Sequence, residues 1–279
     1  MIKIVTDSGS GITPEVARQY DIAVLPLYVH FGNETFREGL DLQLPEFLSR
    51  LKSAPRLPTT SQPAAGDFIQ VYEPLLAGGN EVISIHLASK LSGTIASANT
   101  AREILHETRI HVVDSQFITV IQAMMAIEAA RMAEAGKSVQ DILARMNQFI
   151  AGSHIYFVVD TLEYLQKGGR IGKAAALLGT ALQMKPLLAL EDGVVGAKER
   201  IRTKGKAVTR MQELVMQETA GKTCRCLGVL HAAAPQEARQ IEMELIPKVK
   251  PIETVISEVG PVIATHTGPG VVGVAFFAE

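Results

Sequence analysis

Short apolar runs alternate with hydroxyl-rich turns and helix-periodic segments through the first half of this chain. Residues 2–6, IKIVT, form a strand-length apolar run that ends in Thr6-Asp7-Ser8-Gly9-Ser10-Gly11. Thr13-Pro14-Glu15 then supplies a cap residue and a proline suited to the first turn of a helix. The pattern returns at Val82 to Leu87, β-branched and of buried-strand length. It leads through Ala88-Ser89-Lys90-Leu91-Ser92-Gly93-Thr94 into a helical segment. Ile22 to Val29 and Ile110 to Val113 read as further strands. Leu40 to Leu51, Ala64 to Leu76, Phe117 to Ala135 and Val139 to Ile150 read as helices, with Gly136 between the last two. Strand, turn and helix recur often enough before residue 150 to predict a parallel sheet covered by helices. Three prolines between Pro55 and Pro63 force extended backbone and present Thr59, Thr60 and Ser61 on a rigid loop.

Beyond Ala151-Gly152-Ser153 the rhythm changes. Strand candidates at Ile155 to Val159, Leu187 to Leu190, Cys226 to His231, Ile252 to Glu258 and Val271 to Phe277 alternate less regularly with helices at Lys206 to Glu218 and Gln236 to Ile246. Strands this close in sequence predict some antiparallel pairing. The fold class expected is α/β in two domains: a parallel sheet flanked by helices over residues 1–150, and an α+β domain with a mixed sheet over 151–279. The loop and helix around 60–80 are left free to pack with the second domain.

Composition narrows the function classes. Of 279 residues 47% are hydrophobic, enough for sizeable cores, and the formal net charge is −2. There is no run of Lys and Arg and no Trp, so nothing resembles a nucleic-acid footprint. No basic, apolar leader is evident, and the apolar run Val271 to Ala278 is far shorter than the roughly 20 residues a spanning helix needs. A soluble, cytoplasmic protein is expected. Cys224 and Cys226, two apart on a strand, are expected to share a face and to pack rather than to ligate a metal.

The carboxyl ends of parallel strands form the crevice in which such sheets bind ligands, and helix amino termini there favour anions. Ser89, Ser92 and Thr94 stand at such a place, although Ser92 by itself reads first as a plain helix cap. Gly268-Pro269-Gly270-Val271-Val272-Gly273 matches a dinucleotide fingerprint only in its letters, because a strand follows it and no helix does. Lys167-Gly168-Gly169-Arg170 lacks Walker spacing, and the seven histidines form no metal-binding cluster. A nucleophile elbow would need glycines where Lys90 and Thr94 stand around Ser92. His266 lies in Thr265-His266-Thr267-Gly268-Pro269-Gly270, expected to be a turn of fixed backbone.

Taken together, these motifs resemble the DegV family in order and over the whole length. The resemblance rests on Thr6-Asp7-Ser8, Thr60-Ser61-Gln62-Pro63, Leu91-Ser92-Gly93-Thr94, the segment from Asp160 to Ile171, Lys185-Pro186-Leu187, Arg202-Thr203-Lys204 and His266-Thr267-Gly268-Pro269-Gly270. It implies a cytoplasmic bacterial carrier that binds a long-chain fatty acid such as palmitate between its domains. The carrier would offer the carboxylate to a fatty acid kinase, supplying phospholipid precursors. By the same resemblance Thr60 and Ser92 hold the carboxylate, His266 lies beside them, Arg170 supports the polar end and Arg202 meets the kinase. No cofactor or metal is implied, since ATP would belong to the kinase. Transient contact with a membrane surface stays open, as does a second reading in which Ser92 and His266 hydrolyse an acyl ester or thioester.

The chemistry is consistent with a carrier. A chain of about sixteen carbons gains on the order of 0.8 kcal/mol per buried methylene, roughly 12 kcal/mol before ordering costs. A buried carboxylate without donors would cancel much of that, so the polar end needs several hydrogen bonds. Phe117, Met124 and Met125 are candidates for the apolar lining, or for plain core.

Overall fold

The computed structural model describes residues 1–178 and 185–279. The chain runs β1 (Ile2–Asp7), α1 (Pro14–Gln19), β2 (Ile22–Leu25), β3 (Tyr28–Phe31), β4 (Glu34–Arg37), α2 (Leu44–Ser53), β5 (Thr59–Ser61), α3 (Ala65–Ala77), β6 (Glu81–His86) and α4 (Thr94–Ile104). It continues through β7 (Ile110–Asp114), α5 (Thr119–Glu134), α6 (Val139–Gly152), β8 (Ser153–Val158), α7 (Glu163–Lys167), β9 (Leu187–Glu191) and β10 (Val194–Glu199). Then come α8 (Lys204–Thr219), β11 (Cys224–His231), α9 (Pro235–Val249), β12 (Glu253–Glu258), α10 (Pro261–Thr267) and β13 (Val272–Ala278). Two compact units result: residues 1–42 with 60–151, and residues 43–59 with 152–279.

The first unit is built on a parallel sheet of order β2-β1-β6-β7, as the recurring strand-turn-helix pattern predicts. Helices α3 and α4 cover one side. There Phe68, Tyr72, Leu76, Ala98 and Ala101 pack with Val5, Leu25, Val82 and Ile110 in one buried cluster. Helix α5 packs on β1 and β6, burying Ile121, Met125, Ala126 and Ala129. Phe117 is buried as well, and Met124 is half-buried. The apolar run Ile22 to Val29 is two strands and not one. Pro26 offers no donor for a ladder, and the chain leaves the parallel sheet there to form β3, which joins β4 and β5 in a separate three-stranded sheet.

The second unit carries a mixed six-stranded sheet of order β10-β9-β8-β13-β11-β12. Only β11 and β12 pair in parallel, joined by the α9 crossover, and the other neighbours are antiparallel. Helices α8 and α9 bury Ala207, Met211, Val215, Ile241 and Leu245 against Tyr156, Val229, Val274 and Phe276. The two cysteines do not share a face as their spacing predicts. A break in register against β13 falls between Cys224 and Cys226, the extra residue of a bulge. Cys224 therefore joins Leu227 and Val229 in the helix-covered cluster, and Cys226 is buried outside it. Burial alone pushes the Cys224 thiol up to about 11.

Candidate functional site

In the first unit the polar turns lie where β1 and β6 end. The Thr6-Asp7-Ser8 motif stitches those ends together. Thr6 Oγ1 donates to Ile85 O (2.7 Å) and accepts from Gln122 Nε2 (3.1 Å). Ser8 Oγ donates to Glu38 Oε2 (2.5 Å) and accepts from Leu27 N–H (2.9 Å). Asp7, fully buried, accepts from Gly9 N–H, from Leu87 N–H and from His86 Nδ1 (2.8 Å).

Behind Asp7 runs a buried chain that sequence reasoning missed. Tyr72 O–H donates to Ser84 Oγ (2.7 Å), and Ser84 lies 2.6 Å from His86 Nε2. With Tyr72 donating, the Ser84 proton goes to Nε2, and Nδ1–H then donates to Asp7. Burial raises the Tyr72 phenol, which keeps it a donor. The order serine, imidazole, carboxylate is that of a hydrolytic triad, but Ser84 and His86 have no exposed surface and Tyr72 covers the hydroxyl. Its signal was present in the sequence: polar Ser84 and His86 alternate with Val82, Ile83, Ile85 and Leu87 in an otherwise apolar strand.

The Ser92 turn is anchored at both ends. Ala88 N–H bonds Phe117 O, Leu91 and Ser92 N–H bond Ala88 O, and Ser89 N–H reaches Asp114 at the end of β7. Ser92 Oγ lies 2.9 Å from Thr94 Oγ1 and accepts from Thr94 N–H at 3.4 Å, so the hydroxyl supports the start of α4. Ser92 is half-buried while Thr94 is fully buried. The Gln62 side chain packs over this turn, where a Cβ on Gly93 would stand 2.9 Å from Gln62 Nε2. The Thr60 loop and the Ser92 turn are thereby brought together. Within that loop Ser61 Oγ is 2.8 Å from His30 Nε2, whose other nitrogen is 2.9 Å from Thr35 Oγ1. Strand alternation turns the neighbouring Thr60 to the opposite face of β5. Asp67 fixes the loop's far end by accepting from Ala64 N–H and Tyr28 O–H.

The second unit brings His266 and Arg170 together. His266 lies in the last turn of α10 and not in an irregular loop, because Pro261 at the first turn starts a helix that Gly268 ends. Its ring sits on Gly168, the residue that closes α7, where a Cβ would collide with Nδ1. Arg170 N–H bonds Leu165 O, and its Nη1 donates back to Gly168 O (2.9 Å). The glycines of the two motifs are explained by close approach. At Gly268 (φ 75) a Cβ would strike the Tyr164 ring, and at Gly270 (φ 83) the Asp160 carboxylate. Burial first, then the Arg170 charge, lowers His266 to about 4, so the imidazole is neutral near pH 7 and the cation here is Arg170. Arg202 is exposed in the turn leading into α8. Among the described residues no cluster of His, Cys, Asp and Glu could hold a metal, and no helix is long and apolar enough to cross a membrane.

A parallel sheet with hydroxyl-bearing turns at its carboxyl ends, and a mixed-sheet unit carrying an imidazole and a guanidinium, make this a two-unit protein of the α/β class. A family model described as "Uncharacterised protein, DegV family" matches residues 1–279, and the chain belongs to the DegV family. It is 37% identical over 279 residues to a DegV domain-containing protein of Halalkalibacterium halodurans, covering 100% of this chain and 99% of that one. It superposes with a TM-score of 0.94 on a DegV family protein from Thermus thermophilus described by its fatty acid binding. Identity there is 33%, with 100% and 99% of the two chains covered. DegV of Bacillus subtilis, described as a fatty acid binding protein, gives a TM-score of 0.90 at 36% identity, with 100% and 99% covered.

Proposed function

We propose that this chain is a carrier that binds a long-chain fatty acid, such as palmitate, and presents its carboxylate to a fatty acid kinase for acyl phosphate formation. The observation that carries the reading is full-length similarity to DegV proteins described as binding fatty acids. Thr60 and Ser92 supply hydroxyls from adjoining loops of the first unit. From the second unit His266 supplies a neutral N–H and Arg170 the positive charge. Hydroxyl and imidazole donors neutralise the cost of burying the carboxylate without transferring a proton to it. A carboxylate oxygen stays nucleophilic toward a phosphoryl group supplied by the kinase. Exposed Arg202 is the residue assigned to the kinase surface.

The test uses purified protein, palmitate, ATP and a fatty acid kinase. Acyl phosphate should form only when all four are present, and Ser92→Ala should lower both palmitate binding and acyl phosphate yield. Hydrolysis of an acyl ester by the protein alone, lost in Ser92→Ala, would instead make it an enzyme.

A further inference from the structure

Lys204 belongs to the Arg202-Thr203-Lys204 motif, yet the binding reading gives it no task. It opens α8 and is half-buried. Its Nζ donates to Gly270 O (2.6 Å) and lies 2.9 Å from Glu237 Oε2 and 3.3 Å from Asp160 Oδ1. These oxygens come from three other places in the second unit: the segment before β13, the first turn of α9 and the residue pair after β8. Gly270 is held from its other side too, since its N–H bonds Ala232 O (2.8 Å). Asp160 is itself fixed by Lys185 Nζ, which donates to its carbonyl (2.5 Å). The ammonium is a compact charge with three donors, and here it meets three oxygens that lie on three separate segments.

We propose that Lys204 is a positioning residue for the carboxylate site: by clamping Gly270 to Asp160 and Glu237, it fixes the loop that follows His266 and so sets the imidazole on Gly168 beside Arg170. The inference rests on the reading of His266 as a carboxylate partner. Two glycines at positive φ, Gly268 and Gly270, lie between the ring and the clamp. Such a segment holds one conformation only while its ends are tied. Without the cation, Gly270 O loses its donor and two carboxylates face each other unneutralised, so the loop moves away from Asp160. Lys204 acts at Gly270, four residues along the chain from His266. Its effect on the site travels through the backbone from Gly270 to His266.

The experiment compares full-length wild type with Lys204→Met and Asp160→Asn. It follows the His266 ring by NMR titration, with His266→Gln providing the assignment, and it measures palmitate affinity and thermal midpoint alongside. In Lys204→Met the His266 titration should move from about 4 toward 6.5, and palmitate should bind about tenfold more weakly. Asp160→Asn should shift both readings in the same directions. A lysine that serves only fold stability would lower the midpoint while His266 titrates as in wild type and palmitate affinity is unchanged. That result overturns the proposal. Should Lys204→Met fail to fold, the isosteric Asp160→Asn decides by the same two criteria. If wild type binds no palmitate, the carrier reading fails, and the His266 titration still decides whether Lys204 positions the ring.

Discussion

Ser92 Oγ can accept from Thr94 N–H beside the Gly93 N-cap of α4 and still hold a proton to donate, because a hydroxyl has one proton and two lone pairs. Thr94 N–H and Thr94 Oγ1 both lie against Ser92 Oγ. If Thr94 Oγ1 donates, the Ser92 proton is released toward a carboxylate. Ser92→Ala should therefore weaken palmitate binding about tenfold, the worth of a hydrogen bond to a charged group, and titration of purified protein with palmitate measures it. His266 makes a separate prediction. It stays neutral down to about 4 in the folded protein, whereas an unfolded chain takes up that proton near 6.5. Between those values the unfolded state binds more protons, so stability falls as pH is lowered from 6.5 toward 4, and above 6.5 His266 adds no slope. His154 and His231 are lowered by burial as well and add slope of the same sign. The readout is therefore the difference: urea midpoints at pH 7 and pH 5 should diverge less in His266→Gln than in wild type.

Among the elements, β6 matters most, since it carries His86 on the sheet side and feeds the Ser92 turn. Replacing His86 with Leu removes one of the Asp7 carboxylate's three donors in a buried place, a loss expected to cost about 1.5–3 kcal/mol in chemical denaturation. Cys224, buried with its thiol pushed up to about 11, should not react with a thiol reagent in the folded protein and should react once denaturant is added. Strand and helix existence in the first unit was legible because apolar runs, caps and prolines agree at β1, β6, α1 and α5. The failures were local interruptions of a period. Pro26 divides a continuous apolar run into strands of different sheets, and a single extra residue in β11 reverses which face Cys224 takes. Helix α10 stands where the sequence predicts a turn, because its seven residues are too few to show a helical period, although Gly260-Pro261 marks its start.

For the whole molecule, sequence reasoning reached the fold class through pattern and the family through seven spaced motifs. It could not reach the contacts that explain those motifs. That Gly168 admits the His266 ring, that Gly270 yields to Asp160, and that Asp7 joins the ends of β1 and β6 are tertiary facts with no local sign. Ser84 and His86 were the exception, polar residues at alternate positions of a buried strand. The carrier reading is tested most directly by extracting the purified protein with organic solvent and analysing the extract by mass spectrometry. A long-chain fatty acid in near-stoichiometric amount, and less of it from Ser92→Ala, is the expected result. An extract without fatty acid, from protein that also fails to take up added palmitate, would contradict it.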